Sequence, residues 1–321
     1  MTECPGSRRS FGKSAPGGTG RTEPSAGRNV SSARYAGRPV SEGSIPQLES
    51  APDIECWAER YVLSADLSHK LAPPAPPKVF RESAAALRLS APGRPPELRA
   101  AKRTERTPRQ EALEDPHYRA RTLHAFLHHE LQAAELMCWA ILAFPDAEQE
   151  FRRGLLAICL DEIRHMGLYA GHIRALGHEV GDFGIRDWFW KRVPSCASKV
   201  EFAAVMGMGL EAANLEYAPN FAARFRQAKD ETGAQIQERI AAEEVAHVGF
   251  ATRWFSRWTG GCDFEVWSRH LPAPLSPWVM HGQPIAGDAR RRAGMSDEFL
   301  AALAAYVPEP KGRTGSRLES T

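Results

Sequence analysis

Two helical segments of this chain each carry a Glu-x-x-His motif, and each motif follows another glutamate at nearly the same distance. Glu130 lies 32 residues before the motif at 162–165, and Glu211 lies 33 residues before the motif at 244–247. Three residues turn an α-helix by about 300°, so the glutamate and histidine of one motif share a face. The pattern sets apart six residues: Glu130, Glu162, His165, Glu211, Glu244 and His247.

The spacing also predicts that these side chains lie at one height in two helical hairpins. A helix rises about 1.5 Å per residue, so Glu130 and Glu162 both lie about 21–22 Å from the turn near Phe144. Glu211 and Glu244 lie about 24 Å and 21 Å from the turn that joins their own helices. The hairpins are offset by 81 or 82 residues at the matched positions, which indicates an internal repeat with pseudo-two-fold symmetry.

The helical patterns predict four long helices, over residues 117–143, 147–176, 199–226 and 231–258. We expect Asp146 to cap the second helix and Pro219 to kink the third, which could open a substrate pocket. Two hairpins joined by one long connection are typical of an all-α four-helix bundle with a crossover. Trp188, Phe189 and Trp190 in the crossover could cover a cavity mouth or plug the end of the bundle.

Composition divides the rest of the chain. The predicted segments are a disordered arm (1–52), an N-terminal extension (53–116), the bundle (117–260), a C-terminal wrapping segment (261–307) and a disordered tail (308–321). Residues 1–52 are rich in Gly, Ser, Arg and Pro, a composition that cannot bury enough apolar surface to fold. Residues 54–68 could be helix or strand, and residues 97–114 are compatible with a helix.

The bulk composition excludes several classes of protein. A net charge of +2 argues against a nucleic-acid partner, which usually requires a basic face. No segment approaches the roughly 20 apolar residues of a membrane span, and the N-terminus lacks an apolar signal region. The six cysteines form no CxxC pair, so neither a zinc ribbon nor a disulfide framework is predicted. A reducing, cytoplasmic location is the expectation.

Four buried carboxylates in one core would be costly unless cations neutralise them. Two divalent cations balance four carboxylates, and oxygen ligands with one imidazole per metal favour iron or manganese. Glu135 and Glu216 lie five residues after Glu130 and Glu211, about 140° around the helix. We therefore exclude Glu135 and Glu216 as metal ligands. Asp161 and Glu243, next to the motifs, are expected either to support the ligands or to lie on the surface.

The ligand pattern resembles the ferritin-like superfamily of di-iron carboxylate proteins over residues 117–258. Stretches such as "HHELQAAELMCWA", "DEIRHM", "GDFGIRDWFW" and "EEVAHVGFATRWF" also resemble a bacterial ferritin-like family of unknown function, over about 55–305. The resemblance implies that Glu162 and Glu244 bridge two metals. It also implies that Glu130 and Glu211 are terminal ligands, and that each metal takes one histidine, His165 or His247.

The resemblance implies a fold and a metal site; the function that the ligand set favours is an oxygen-dependent oxidoreductase, an oxidase or hydroxylase, with two iron ions (or manganese) as cofactor. The partners would be O₂ and a small molecule that the sequence does not identify; the oligomeric state is open, a homodimer among the options. Two alternatives remain: a ferroxidase or metal-binding protein without organic substrate, and a tRNA-modifying hydroxylase. Participation of Tyr169, His172 and His281 is also open. For Tyr169 and His172, packing in the core is the simpler interpretation.

Overall fold

The structure is a computed structural model that describes residues 51–101 and 107–308. Within these ranges the chain is helical, and its β-structure is a single isolated bridge between Ala100 and Ile185. The predicted all-α class is confirmed. None of the described helices combines the length and apolar character needed to cross a bilayer. The predicted arm and tail lie outside the described residues, apart from residues 51, 52 and 308.

The N-terminal extension begins with two short helices, α1 (Ile54–Leu63) and α2 (Leu67–Leu71). Asp53 and Asp66 cap them, each accepting a hydrogen bond from a backbone N–H in the first turn. Residues 54–68, for which the sequence left helix and strand open, therefore contribute to helices. The segment 97–114 is not a long helix in its described part; it contains only a 3₁₀ turn at Glu111–Glu114.

The first hairpin consists of α3 (Pro116–Ala143) and α4 (Gln149–Ala175). Asp115 caps α3, and Pro116 occupies its first turn, where a missing N–H costs nothing. Asp146 does not cap α4, contrary to the prediction. The helix begins two residues later than predicted, after Glu148, whose side chain makes no capping hydrogen bond. Glu148 instead binds Lys199 and Trp258, and these contacts with distant residues hold its carboxylate away from the helix end.

The second hairpin has an irregular first helix. It runs as α5 (Lys199–Phe202), a π-helical segment (Ala203–Glu211) and α6 (Ala212–Gln227), in place of the single helix that was predicted. Two glycines allow close packing there. A Cβ at Gly207 would lie 2.1 Å from the side chain of Ala251, and one at Gly209 would lie 2.5 Å from Met280.

The hairpin is completed by α7 (Glu231–Thr259), which ends at Gly260 with φ +83°. This left-handed conformation favours glycine, and it confirms the predicted end of the helix. Pro219 lies inside α6, which continues past it to Gln227. The strongest irregularity of this hairpin is therefore the π-helical segment, upstream of the proline.

Four elements, α3, α4, α6 and α7, form what we call the helical core. Helix α3 packs on α4, α6 packs on α7, and α4 contacts α7. Two apolar clusters occupy its interior, one around Trp139 and Phe151, the other around Leu127, Tyr169 and Phe225. Along α3 and α4, the three matched residues Glu130, Glu162 and His165 fall where one cluster gives way to the other.

Buried ion pairs attach the flanking segments to the helical core. On the N-terminal side, Glu135 accepts hydrogen bonds from Lys70 at 2.8 Å and from Arg94 at 2.6 Å. On the C-terminal side, which includes α8 (Phe264–Arg269), α9 (Gly287–Arg292) and α10 (Asp297–Ala305), Arg290 binds Glu216 at 2.8 Å. Both glutamates are thus occupied by cations.

Candidate metal centre

The six matched residues meet in the interior of the helical core. The ligand atoms of Glu130, Glu162, His165 and Glu244 all lie within 4.8 Å of one another, and all four side chains are buried. His247 completes the group from α7, with Nδ1 3.0 Å from Glu162 Oε1 and 3.3 Å from Glu244 Oε2. The matched helix heights inferred from the spacing are consistent with this arrangement.

Glu211 enters the same group from the end of the π-helical segment. Its buried carboxyl interacts electrostatically with Glu244, Glu162 and His247. A small void of about 10 Å³ also touches Glu211 and His247. All six residues are therefore neighbours, although Glu211 and His247 lie outside the tightest group of four.

Several buried atoms of the group have no hydrogen-bond partner among the described residues. They are Glu162 Oε1, Glu211 Oε1, Glu244 Oε2 and His247 Nδ1. His247 Nδ1 lies 3.0 Å from Glu162 Oε1, yet the angles do not permit a hydrogen bond. Buried polar atoms are almost always satisfied in native proteins, and leaving one unpaired costs about 1–3 kcal/mol. Atoms that converge in this way fit a shared cation.

Each histidine has its second ring nitrogen held by a carboxylate from the other hairpin. His165 Nε2 donates to Glu243 at 2.7 Å, and His247 Nε2 donates to Asp161 at 3.2 Å. Arg164 joins the two carboxylates, at 2.9 Å from Asp161 and 2.7 Å from Glu243. Outer carboxylates of this kind fix the orientation of a ligating imidazole. Asp161 and Glu243 therefore support the centre, one of the two roles that the sequence left open.

In the absence of a metal cation, bound protons neutralise part of the negative charge of the group. Burial, together with repulsion by Glu162 and Glu244, raises the pKa of Glu130 well above its usual range. Burial and the same neighbours raise the pKa of Glu211. Burial opposes the charge on His247, but the ionised Glu162 beside it outweighs this effect and raises the pKa of the histidine. These carboxyls and imidazoles thus compete for protons when no other cation is bound.

The donor set fits two divalent cations better than it fits a purely structural cluster. Four carboxylates and two imidazoles present oxygen and nitrogen ligands without cysteine, which favours iron or manganese over zinc. Two dications would balance the four carboxylates, each of which otherwise costs several kcal/mol to bury ionised. The six side chains together can hold such ions and leave further coordination positions open.

A cavity of about 540 Å³ adjoins the group on the side of α3 and α6. Glu130 and Glu211 line it, whereas Glu162, Glu244 and both histidines do not. Trp188 and Phe189 of the crossover form part of its wall, which agrees with one of the two predicted roles. Trp190 instead is buried and donates to Glu135 at 2.7 Å. Pro219 is absent from the wall, so the predicted link between its kink and a pocket finds no support.

The three residues of open role have separate environments. Tyr169 lies in the cavity wall and accepts a hydrogen bond from Gln237 at 2.9 Å. His172 is paired with Asp230 at 2.9 Å, so it is a satisfied buried histidine away from the centre. His281 is buried in the C-terminal segment, with Nδ1 donating to the backbone of Gly282.

Other residues near the centre were not singled out by the sequence. Asp187, in the crossover, accepts hydrogen bonds from Arg94 at 2.7 Å and from His128 at 3.1 Å. Burial opposes this charge, but His128 and Arg94 hold the pKa of Asp187 well below its usual range. The stretch "RDWFW" carries no spacing that points to these partners, because they lie on distant parts of the chain.

Comparison with known proteins places these residues in a family. The family described as "Protein of unknown function (DUF455)" matches residues 54–301. A Haemophilus influenzae protein named "Uncharacterized protein" is 30% identical over 144 residues, 42% of this chain and 50% of that protein. The chain thus spans about half the length of that relative. No solved structure matches. Because the match includes the extension, the helical core and most of the C-terminal segment, the chain belongs to the DUF455 family.

Proposed function

We propose that this protein is a ferritin-like oxidoreductase that uses two metal ions, iron or manganese, and O₂ to oxidise a small molecule. The observation that carries the proposal is a buried group of ligand atoms within 4.8 Å of one another, from Glu130, Glu162, His165 and Glu244. Purely structural polar clusters satisfy their members with one another. Here buried atoms of Glu162, Glu211, Glu244 and His247 have no hydrogen-bond partner among the described residues, as expected of metal ligands.

The proposed division of labour follows the positions of the side chains. Glu162 and Glu244, each within 3.3 Å of His247, would supply carboxylate ligands next to that histidine. Glu130 and Glu211 would each hold one ion from the cavity side. His165 and His247 would supply one imidazole per ion, through Nδ1. Two ions held there would supply the electrons that reduce O₂, which is the chemistry of carboxylate-rich two-metal centres.

The protein itself would bind the substrate, orient the two imidazoles and shield the centre. Asp161 and Glu243 keep each imidazole in the tautomer that has its proton on Nε2, because a carboxylate can only accept. The cavity gives a substrate direct access to Glu130 and Glu211. Its volume falls within the roughly 300–1,000 Å³ typical of small-molecule sites. A cavity at the centre favours an enzyme over a protein that only stores iron.

The test is to load the protein with Fe(II) without oxygen and then admit O₂. We expect oxidation that saturates at about two irons per chain, because six ligands define two metal positions. Optical absorbance would follow the oxidation, and elemental analysis would give the iron bound. Continued oxidation of tens of irons per chain, in a large hollow assembly detected by light scattering, would support a ferroxidase instead. Absence of bound metal after loading would refute both.

A further inference from the structure

The wall of the cavity contains an unbroken series of aromatic rings. Phe189 stacks on His129 with ring centroids 5.3 Å apart, and His129 lies 6.5 Å from Phe126. Phe126 in turn contacts Phe221 at 4.7 Å and Tyr169 at 6.0 Å. All of these residues line the cavity. We call the five residues the aromatic wall.

The aromatic wall leads to the candidate metal centre. His129 is the neighbour of Glu130 in the sequence, and both residues line the cavity. Tyr169 and Glu130 also line the same cavity. A molecule lying against the aromatic wall would therefore also lie beside the carboxylates that face the cavity.

His129 differs from the buried histidines of the helical core. Its side chain is exposed, lines the cavity and makes no hydrogen bond with any described residue. His128 and His172, by contrast, are each tied to an aspartate. One face of the His129 ring stacks on Phe189, and its nitrogens make no hydrogen bond, so the rest of its surface is available to a ligand.

We infer that the substrate of this centre carries a planar aromatic ring, carbocyclic or heteroaromatic, that stacks on the aromatic wall. The inference rests on the proposed function, since it names the substrate class of the same site. Aromatic rings prefer offset or edge-to-face contact with other rings, beyond what area burial alone supplies. A cavity selecting aliphatic molecules gains nothing from five rings in mutual contact.

The charge of the cavity guides the choice of probe. Among the described lining residues, the formally charged ones besides Glu130 and Glu211 are Arg121 and Arg186, both positive. The lining thus carries two formal charges of each sign, and the probes are compared at one fixed charge. Benzoate and cyclohexanecarboxylate have the same charge and similar size, and they differ mainly in aromaticity. 2-Naphthoate extends the aromatic surface and fills more of the 540 Å³.

Calorimetric titration of the full chain with these three anions tests the inference. We expect benzoate to bind about 3- to 10-fold more tightly than cyclohexanecarboxylate, from the usual strength of ring–ring contacts. We expect 2-naphthoate to bind more tightly than benzoate. Equal affinity for the aromatic and the saturated acid, or no binding of any probe, would overturn the inference.

Matched variants locate the effect. Phe189→Leu and His129→Leu each replace a ring of the wall by an aliphatic side chain, so each should reduce the preference for benzoate. Phe264→Leu is the control, because Phe264 packs on Trp267 and Phe299 and does not line the cavity. His129→Leu tests the inference even if the Phe189 variant unfolds, since His129 makes no hydrogen bond. A preference that survives undiminished in both wall variants would contradict it.

The titrations are made on chelator-treated protein and on protein reloaded with Fe(II), with metal content measured in both. Aromatic preference with no metal uptake would leave the inferred ligand class standing while the proposed function fails. Metal uptake with no aromatic preference would leave the proposed function standing while the inferred ligand class fails. The two proposals can thus fail separately.

Discussion

Glu135 and Glu216 occupy equivalent positions in the two hairpins, each five residues after a candidate metal ligand and each buried against a cation from outside the helical core. Lys70 reaches Glu135 from the N-terminal extension, and Arg290 reaches Glu216 from the C-terminal segment. The internal repeat therefore extends beyond the six matched residues. It includes a pair of anchors that attach the two ends of the folded region to its middle.

Removal of one of these ion pairs should lower the free energy of unfolding and leave the metal content unchanged. Glu216→Gln leaves the guanidinium of Arg290 buried without a counter-charge, which costs about 3–5 kcal/mol. Urea unfolding measures the loss. Asp288→Asn is the control, because it removes an exposed partner of Arg291 and should leave the free energy of unfolding nearly unchanged. Metal content should stay at the wild-type level in Glu216→Gln; a loss as large as in Glu211→Gln would contradict the division between ligands and anchors.

The candidate ligands themselves should determine the metal content. Wild-type protein is expected to hold about two transition-metal ions per chain. Glu162→Ala and His247→Ala each remove a side chain from the centre of the group, so both should lower this number in elemental analysis. Glu238→Gln, an exposed position on α7, should leave it unchanged. Equal metal content in all four proteins would mean that the metal binds elsewhere.

Asp161 and Glu243 should affect the affinity for metal and not the number of metal ions bound. Asp161→Asn and Glu243→Gln weaken the hydrogen bonds that hold His247 and His165. Loss of such partners typically lowers metal affinity about 10- to 100-fold. Competition with a coloured chelator measures the affinity. Glu231→Gln is the control, because Glu231 is an exposed residue on the same helix as Glu243. An unchanged affinity in both variants would assign these carboxylates to the surface network around Arg164.

Metal binding should release protons and strengthen as pH rises. Glu130 and Glu211 have raised pKa values, and so have His165 and His247, so the metal-free group carries protons that a metal must displace. Titration calorimetry in buffers of different ionisation enthalpy counts the released protons. Metal binding without proton release, or an affinity that falls between pH 5 and pH 8, would show that these four groups do not bind it.

The same carboxyls give the metal-free protein a defined pH dependence of stability. The folded-state pKa of Glu130 and of Glu211 exceeds the unfolded-state value, so the unfolded chain loses its protons first. Their contribution to stability is therefore present at low pH and is lost as pH rises above the unfolded-state pKa, near 4.3 for glutamate. Bound metal should offset this loss, and the melting temperature at neutral pH should rise on reloading.

The parts of the site that the sequence predicts are those set by local geometry. Helix rise and turn fix the height and face of Glu130 relative to its neighbours, so spacing alone was enough to group the six residues and to exclude Glu135. The second role of Glu135, as partner of Lys70 and Arg94, was not predictable, because its cations come from 41 and 65 residues away. No pattern in a single sequence records which distant segment covers a given helix face.

Other differences have the same origin. The π-helical segment before Glu211 depends on close packing of Gly207 against Ala251, a contact between two helices. The missing cap at Asp146 follows from Glu148 being drawn to Lys199 and Trp258. In both places tertiary packing outweighs a local preference. The aromatic wall likewise combines residues from α3, α4, the crossover and α6, which are far apart in the sequence.

The π-helical segment has one further consequence. It ends at Glu211 and has no counterpart before Glu130, where α3 is regular. The two hairpins therefore have matching ligand spacing but different backbone conformations next to the first ligand. Two irons bound there would experience unequal electronic environments, so a Mössbauer spectrum would contain two quadrupole doublets of equal area and not a single one. Progressive chelation would then remove the two signals at different rates.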